Sequence, residues 1–434
     1  MAKSFTALKN ARQDRSPNGG VSMIRSVLEV ESFLQNLPTK SSKVTGKNIT
    51  LERMWPLLRK VGSPQRTLRV IHVAGTSGKT STATYISSLL TARGATVGLT
   101  ISPHIHSVTE RLQLNGSQLD EKQFCELFNS FVKLLPQNTD ATYFEYMIVF
   151  VLWAFKELSV DYAVLETGLG GLFDGTNVCQ NPDKICVITD IGMDHQQILG
   201  NSIKEIATQK AGIVHTQNEV FLYTQQQEVM DCVNNRAKIV GATVHEILPE
   251  VVLQNKSLPK FQHRNWMLAK HVADFIANRD ALTNITRAQE YTTQKAVLGR
   301  MQQVNYRQTE FIIDGAHNEQ KMQTFIDSYT ERYGREKVPI ILAMKEGKDF
   351  EAVIALLKPL SKILLCTGYD VQQDMPIKSL PSQLLITAAH QIGVEAEAFD
   401  SIYDALVKVI DKEEPRVIVT GSLYVIGAVL DYLN

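Results

Sequence analysis

The chain has no excess of charge of either sign: its 434 residues hold 45 Lys and Arg against 45 Asp and Glu. Nothing in that balance argues for a nucleic-acid or membrane surface. Cysteine is sparse too. Cys125, Cys179, Cys186, Cys232 and Cys366 form no CxxC pair, which speaks against a zinc ribbon or a disulfide framework and fits a reducing compartment. Long apolar runs are also missing. The most apolar stretch, "MIVFVLWAF" (Met147 to Phe155), is bounded by Glu145 and Lys156 and is too short to span a bilayer, so it reads as a buried helix. The opening "MAKSFTALKNARQDRSPNGG" is polar, with no signal-peptide pattern. The expectation is a cytoplasmic protein with neither a nucleic-acid nor a membrane partner. What is present suffices for a large core: 44 % of residues are hydrophobic and 21 % charged, over a length suited to two or three domains.

From about Leu68 the pattern alternates. "LRVIHVA", "TVGLT", "DYAVLE", "KICVITDI" and "EVFLY" are β-rich, and between them lie helical stretches such as Lys79 to Arg93, Asp120 to Leu135 and Tyr143 to Leu158. Capping spacings at Asp120/Gln123 and Ser202/Glu205, and Gly94 after its helix, mark the helix ends. The alternation restarts after about residue 300 with "EFIIDGA", "VPIILAM", "KILLCTG" and "RVIVTGS". This predicts an α/β fold with a mostly parallel sheet covered on both faces, followed by a smaller Rossmann-like α/β domain. The expected divisions are a flexible extension over 1–45, a first α/β domain over 46–296 and a C-terminal α/β domain over 297–434. The cleft between the two domains is the expected ligand site.

"VIHVAGTSGKTSTATYISSLL" (Val70 to Leu90) resembles a phosphate-binding loop with a displaced glycine: the standard G-x-x-x-x-G-K-[ST] needs glycine at 73, where Val73 stands. The context supplies the mechanism. A strand ends at Ala74, a turn follows, and a helix begins near Lys79, so backbone N–H groups converge on an anion. Gly75 and Gly78 permit close approach, Lys79 reaches the terminal phosphates, and the Thr80 hydroxyl helps to hold Mg²⁺. Thr76, Ser77 and Ser81 complete the expected nucleotide loop. The competing reading is a strand–turn–helix with a chance Gly-Lys-Thr.

Three further residues fall just past strand ends on the same edge: Ser102 in "ISPHIHSVTERLQLNG", Glu166 in "VLETGLGGLFDGTNV", and His195 in "VITDIGMDHQQILG". Hydroxyl, carboxylate and imidazole placed there suit Mg²⁺ bound against ATP phosphates, with water completing the shell. Taken singly, His195 reads as a structural or surface histidine and Glu166 as a turn cap. Lys210, in the helix "ATQKAGIV", reads as a solvated residue.

These segments together resemble the folylpolyglutamate synthase/dihydrofolate synthase family of the Mur ligase superfamily, from about residue 50 to the C-terminus. "GTSGKTST" is similar to the family's shortened ATP loop, with Ser77 for the usual Asn. "SPHIHSVTERLQLNG", "TYFEYMIVFVLWAF", "VLETGLGG", "DHQQILGNSIKEIATQKAGIV", "GRMQ", "DGAHN" and "VTGSLYVIG" follow in the family's order. The resemblance implies an ATP-dependent ligase that joins L-glutamate to a pterin acid or folate, working as a monomer with two Mg²⁺ ions. It implies that Ser102, Glu166 and His195 are metal ligands and that Lys210 is carbamylated, which replaces the solvated reading. It implies that Asn265, Arg300 and Asp314 bind ATP, with His317 beside them. From the residues themselves, Arg300 near a domain join would clamp phosphate and Asp314 at a strand end would accept from a ribose hydroxyl.

The family correspondence places the pterin end at Phe144 and Glu145 of "TYFE" and at Phe173, Asp174 and Gly175 of "FDG". Phe144 would stack on a flat heterocycle and Asp174 would accept from ring N–H groups; alone, Phe144 reads as core. Two departures fall here: Leu172 stands where the family has Arg, and "DGTN" replaces "DATN". The expected catalytic set is Lys79, Glu166, His195 and Lys210. Two readings compete with a folate ligase: a Mur-type ligase for another carboxylate, and a nucleotide-dependent switch without ligase activity.

Overall fold

Runs of β-branched residues, each followed by a helix with one buried face, build two sheets. The computed structural model describes residues 23–38, 50–136, 138–248, 258–373 and 376–433. The first sheet comprises β1 (Val70–Ala74), β2 (Val97–Thr100), β3 (Gln113–Leu114), β4 (Ser117–Gln118), β5 (Tyr162–Glu166), β6 (Ile185–Ile188), β7 (Glu219–Tyr223) and β8 (Thr243–Ile247). Its order is β4-β3-β2-β5-β1-β6-β7-β8, parallel except for the short β3 and β4. β1 therefore lies centrally, between β5 and β6, and is buried along its whole length.

The second sheet follows β9 (Gln302–Tyr306), β10 (Thr309–Ile313), β11 (Val338–Leu342) and β12 (Ser361–Cys366). A small hairpin of β13 (Asp370–Gln372) and β14 (Pro376–Lys378) stands apart, and β15 (Ala396–Ala398) and β16 (Arg416–Thr420) complete the sheet. The order is β15-β12-β11-β16-β10-β9, with only β9 antiparallel. The architecture is thus a large, mostly parallel α/β sheet followed by a smaller α/β unit, as the alternation predicts.

Parallel strands buried on both faces need helices on both sides. The helix Lys79–Ala92 packs with Lys260–Asp280 on one face, over a core that includes Ile71, Val73, Leu89 and Val272. The helix Tyr143–Glu157 packs on the other face; Thr142 and Glu145 cap it reciprocally, and its aromatic residues pack with Phe124, Phe128 and Phe131. Its near-complete burial accounts for the unbroken apolar run "MIVFVLWAF" and agrees with the buried helix expected there. Among the described residues no helix is long and apolar enough to cross a membrane.

One expectation is corrected. Part of the stretch read as a flexible extension is a helix, Val27–Gln35, capped by Ser26, with Val30 and Leu34 fully buried. Those two residues are four apart and present one apolar stripe to the core, so the helix is docked. Residues 1–22 and 39–49, the rest of that extension, lie outside the described residues.

Candidate active site

The C-terminal edges of β1, β2, β5 and β6 face the loops after β10, β11 and β16. Two adjoining cavities open between them, one of about 210 Å³ and one of about 300 Å³, sharing Ser102, His195, His317 and Leu423 in their walls.

The phosphate loop lines the first cavity. A Cβ on Gly75 would sit 1.8 Å from Thr189 Oγ1, so only glycine allows that approach. Gly78 has φ +84 and starts the helix Lys79–Ala92, and a Cβ there would meet Asn265 Oδ1 at 2.5 Å. Asn265 is thus packed against the loop. Thr76 and Ser77 donate their N–H groups to the carbonyl of Asp190, at 2.9 and 3.2 Å, so these two donors hold the loop's shape. The anion is left to the first helical turn, Lys79 to Ser81, whose N–H groups have no acceptor within the helix. Lys79 Nζ lies 3.1 Å from the Gly75 carbonyl.

Glu166 ends β5 and is buried. Its Oε1 accepts from Thr80 Oγ1 at 2.8 Å, and its Oε2 from the Ser102 N–H at 3.2 Å. Burial raises its pKa, while Lys79, the Thr80 bond, the Ser102 N–H and Arg300 oppose that rise. A carboxylate so placed is short of positive charge that it could use.

Lys210 is buried rather than solvated: it is 4 % exposed, and Nζ donates to the Gly75 carbonyl at 2.7 Å. The helical spacing hid this, because that face of the helix Ile203–Ala211 turns toward the loop. Burial, together with the charge of Lys79, holds its pKa well below the usual lysine range.

His195 is the least enclosed of the predicted residues. Its ring is 43 % exposed, and its backbone is left-handed with φ 51. It lines both cavities from the segment after β6. From the second sheet come Arg300, Asp314 and His317. Asp314 is buried, and its two oxygens accept from the N–H groups of Met301 and Ala316, each at 2.8 Å. It therefore braces the segment carrying Arg300. His317 Nε2 lies 3.0 Å from Lys321 Nζ.

In the second cavity Phe144 and Asp174 converge: a Cβ on Gly168 would lie 2.6 Å from Phe144 Cζ and 3.2 Å from Asp174 Oδ2. Phe144 therefore lines the cavity while also packing against the core beneath it. Phe173 is 39 % exposed at the rim, and Gly175 backs the Phe144 ring. Glu145 borders the cavity, but its carboxylate is engaged by Arg53 at 2.7 Å and by the Thr142 N–H at 2.9 Å. That makes it a bracket for the helix end carrying Phe144. Leu172 packs on Gly212 and is absent from the wall of either cavity.

Three site residues escaped the sequence reading. Asp194, Lys321 and Lys348 gather across the two sheets: Asp194 accepts from Lys348 Nζ at 2.6 Å, Lys321 Nζ at 3.3 Å and Asn318 Nδ2 at 3.0 Å. Burial alone would raise the Asp194 pKa, but His317, 3.7 Å away, and the neighbouring cations hold it far below the ordinary carboxylate range. The available signal was position: Lys321 lies one helical turn after His317, and Lys348 lies in the loop after β11.

Comparison with known proteins agrees with this architecture. Residues 73–248 match the Mur ligase middle domain, and residues 294–432 match the dihydrofolate synthetase C-terminal domain. The dihydrofolate synthetase of Saccharomyces cerevisiae is 28 % identical over 421 residues, covering 88 % of this chain and 97 % of its own. The dihydrofolate synthase/folylpolyglutamate synthase of Bacillus subtilis is 29 % identical over 412 residues, covering 87 % and 93 %. The chain belongs to the folylpolyglutamate synthase/dihydrofolate synthase family. Within that family, the structure of the Mycobacterium tuberculosis folylpolyglutamate synthase complexed with ADP and AMPPCP superposes with a TM-score of 0.81 at 23 % identity, over 94 % of this chain and 98 % of that one.

The family's metal can be tested against these residues. Among the described residues no three His, Cys, Asp or Glu side chains gather as a metal-binding group. Mg²⁺ does not need one, because it keeps several waters and binds through one or two carboxylates plus substrate phosphates. The buried Glu166 carboxylate beside the Thr80 hydroxyl meets that requirement. Lys210 as a free amine is a donor, and it becomes an oxygen ligand only if carbamylated.

Proposed function

We propose that this chain is an ATP-dependent ligase that joins L-glutamate to the carboxylate of dihydropteroate, of a reduced folate, or of both, giving ADP and phosphate. The observation that carries the reading is the shared wall. A phosphate loop with a buried carboxylate opens directly into a pocket that carries the Phe144 ring and the Asp174 carboxylate.

A carboxylate is a poor acylating agent because its leaving group would be oxide. In this reading an acceptor oxygen attacks the γ-phosphorus and ADP departs. The glutamate amine then attacks the carbonyl carbon of the acyl phosphate, and phosphate leaves with the amine's proton passing to solvent. Lys79, Arg300 and Lys321 neutralise the transferring phosphoryl group. Gly75, Thr76, Ser77, Gly78, Thr80, Ser81 and Asn265 shape the nucleotide site, and Asp314 and His317 orient it from the second sheet. Mg²⁺, held by Thr80, Glu166, Ser102 and His195, would supply Lewis-acid charge at the phosphates. A neutral Lys210 amine is the form that takes up CO₂, so a carbamate there, anchoring a second ion, belongs to the same reading. Closure of the two domains over the seam would keep water from the acyl phosphate. Residues 46–296 would serve ATP and 297–434 would close over it; a cytoplasmic monomer fits the reading.

The test is mass spectrometry of products from ATP, L-glutamate and a panel of pteroates and folates, with phosphate release measured alongside. Release that requires both a pterin acid and glutamate, with a product heavier by one glutamyl residue, supports the ligase. Release without either substrate points to a nucleotide switch, and release with a different carboxylate points to another Mur-type ligase.

A further inference from the structure

His72 sits mid-strand in β1, fully buried between Leu165 and Cys186 of the neighbouring strands. A charge-capable side chain there is costly unless it is satisfied. Its Nε2 lies 2.7 Å from Thr176 Oγ1 and 3.0 Å from Thr167 Oγ1. Thr176 Oγ1 in turn lies 2.5 Å from Asp174 Oδ1, which also takes the Thr176 N–H at 3.0 Å.

The proton positions follow from the ends of this chain. A carboxylate only accepts, so the Thr176 hydroxyl spends its single proton on Asp174. That hydroxyl must then accept from His72, which puts the imidazole proton on Nε2. Nδ1 is left as a buried lone pair, and it has no partner in the structure. The two threonines flank functional positions: Thr167 follows Glu166, and Thr176 follows Asp174 by two residues. One buried N–H therefore ties the end of β5 to the turn that aims Asp174 into the second cavity.

We propose that His72 is a positioning residue for the acceptor pocket, holding the Asp174 carboxylate through Thr176 so that it meets the N–H edge of a flat, hydrogen-bond-donating heterocycle. The inference rests on the pterin-acid reading of that pocket. His72 touches no substrate in this account. Burial, with Lys184 and His215 nearby, keeps its pKa well below the usual histidine range, so it works as a neutral donor at any physiological pH.

The experiment uses the full chain and four variants: Thr176→Val, which removes the hydroxyl at constant shape, His72→Leu, His72→Gln, whose carboxamide N–H falls near the position of Nε2, and the double variant combining Thr176→Val with His72→Leu. Melting curves check folding. Binding of dihydropteroate is followed by pteridine fluorescence and ATP binding by calorimetry; KM and kcat are then measured. Thr176→Val and His72→Leu should each weaken acceptor binding and raise its KM by roughly tenfold to a hundredfold. ATP affinity should hold within about twofold, His72→Gln should recover most of the loss, and the double variant should lose no more than the worse single one. If His72→Leu does not fold, Thr176→Val and His72→Gln decide alone. Unchanged acceptor affinity in Thr176→Val, or equal losses for acceptor and ATP, overturns the relay. A wild-type chain that binds ATP but no pterin acid overturns the reading beneath it.

Discussion

Asp194 and Lys348 meet 2.6 Å apart across the seam between the two sheets, and both side chains are largely buried. Asp194 follows β6 and Lys348 follows β11, so this ion pair, with Lys321 at 3.3 Å, joins the two domains at the site itself. Burial pushes Lys321 down to about 7, against the pull of Asp194. Replacing Asp194 with Asn strands the cations. Breaking a buried pair costs about 3–5 kcal/mol; the low end applies, because Lys321 can shed its proton. Denaturant unfolding of Asp194→Asn at pH 7 should therefore show a loss of ~3 kcal/mol. A loss below about 0.5 kcal/mol, the value of an exposed pair, would remove Asp194 as the fastener.

Lys79 and Glu166 should separate in function. Lys79→Ala removes positive charge at the phosphoryl group and should lower the rate of glutamate-dependent phosphate release by about 10²–10³. Glu166→Gln keeps the shape but loses the anionic oxygen beside Thr80. Its signature should be a Mg²⁺ requirement shifted upward by roughly tenfold or more, read from activity across a magnesium titration. Equal Mg²⁺ dependence in Glu166→Gln and wild type would exclude Glu166 as a metal ligand.

The strands that carry the phosphate loop, Ser102, Glu166 and His195 were readable because buried parallel strands are nearly continuous apolar runs, and the residue ending each run is conspicuous. β8 and β9 were not: β8 is a half-exposed edge strand reading "TVHEI", and β9 reads "QQVNY", with no apolar run to betray either. Lys210 was misread on its own evidence because helix spacing says which residues share a face but not which face meets a loop from another strand. Asp194 lies more than a hundred residues from both Lys321 and Lys348, and no local pattern could have paired it with them. His72 stayed silent for a similar reason. A histidine inside "VIHVA" interrupts an apolar strand, which is a signal, but its partners lie in two later loops.

Gly78 tests whether the loop geometry is obligatory. Its φ of +84 costs an L-residue about 1–2 kcal/mol, and the added Cβ would press on Asn265 Oδ1. Gly78→Ala should therefore lose stability by about that amount and weaken ATP binding at least tenfold, as Asn265 and the first helical turn move. Calorimetry with ATP and Mg²⁺ measures the second effect. Wild-type affinity in this variant would show that the loop adapts.

Asp314 gives a pH signature with a definite sign. Burial pushes its pKa up from 3.8 to about 6, against Arg300 and the N–H groups of Ala316 and Met301. Because the folded value exceeds the unfolded one, the folded state holds this proton more tightly. The stabilisation is complete below about pH 3.8 and is lost as pH rises through about 6. The interval of about two units corresponds to ~3 kcal/mol. Asp314→Asn carries no titrating group there and should lack the trend. Nucleotide-free unfolding at several pH values from 4 to 7 should show wild type falling relative to the variant as pH rises. Parallel profiles would mean that Asp314 keeps its carboxylate charged across the range, with Arg300 a closer partner than burial allows; wild type rising relative to the variant would mean that the pair dominates outright.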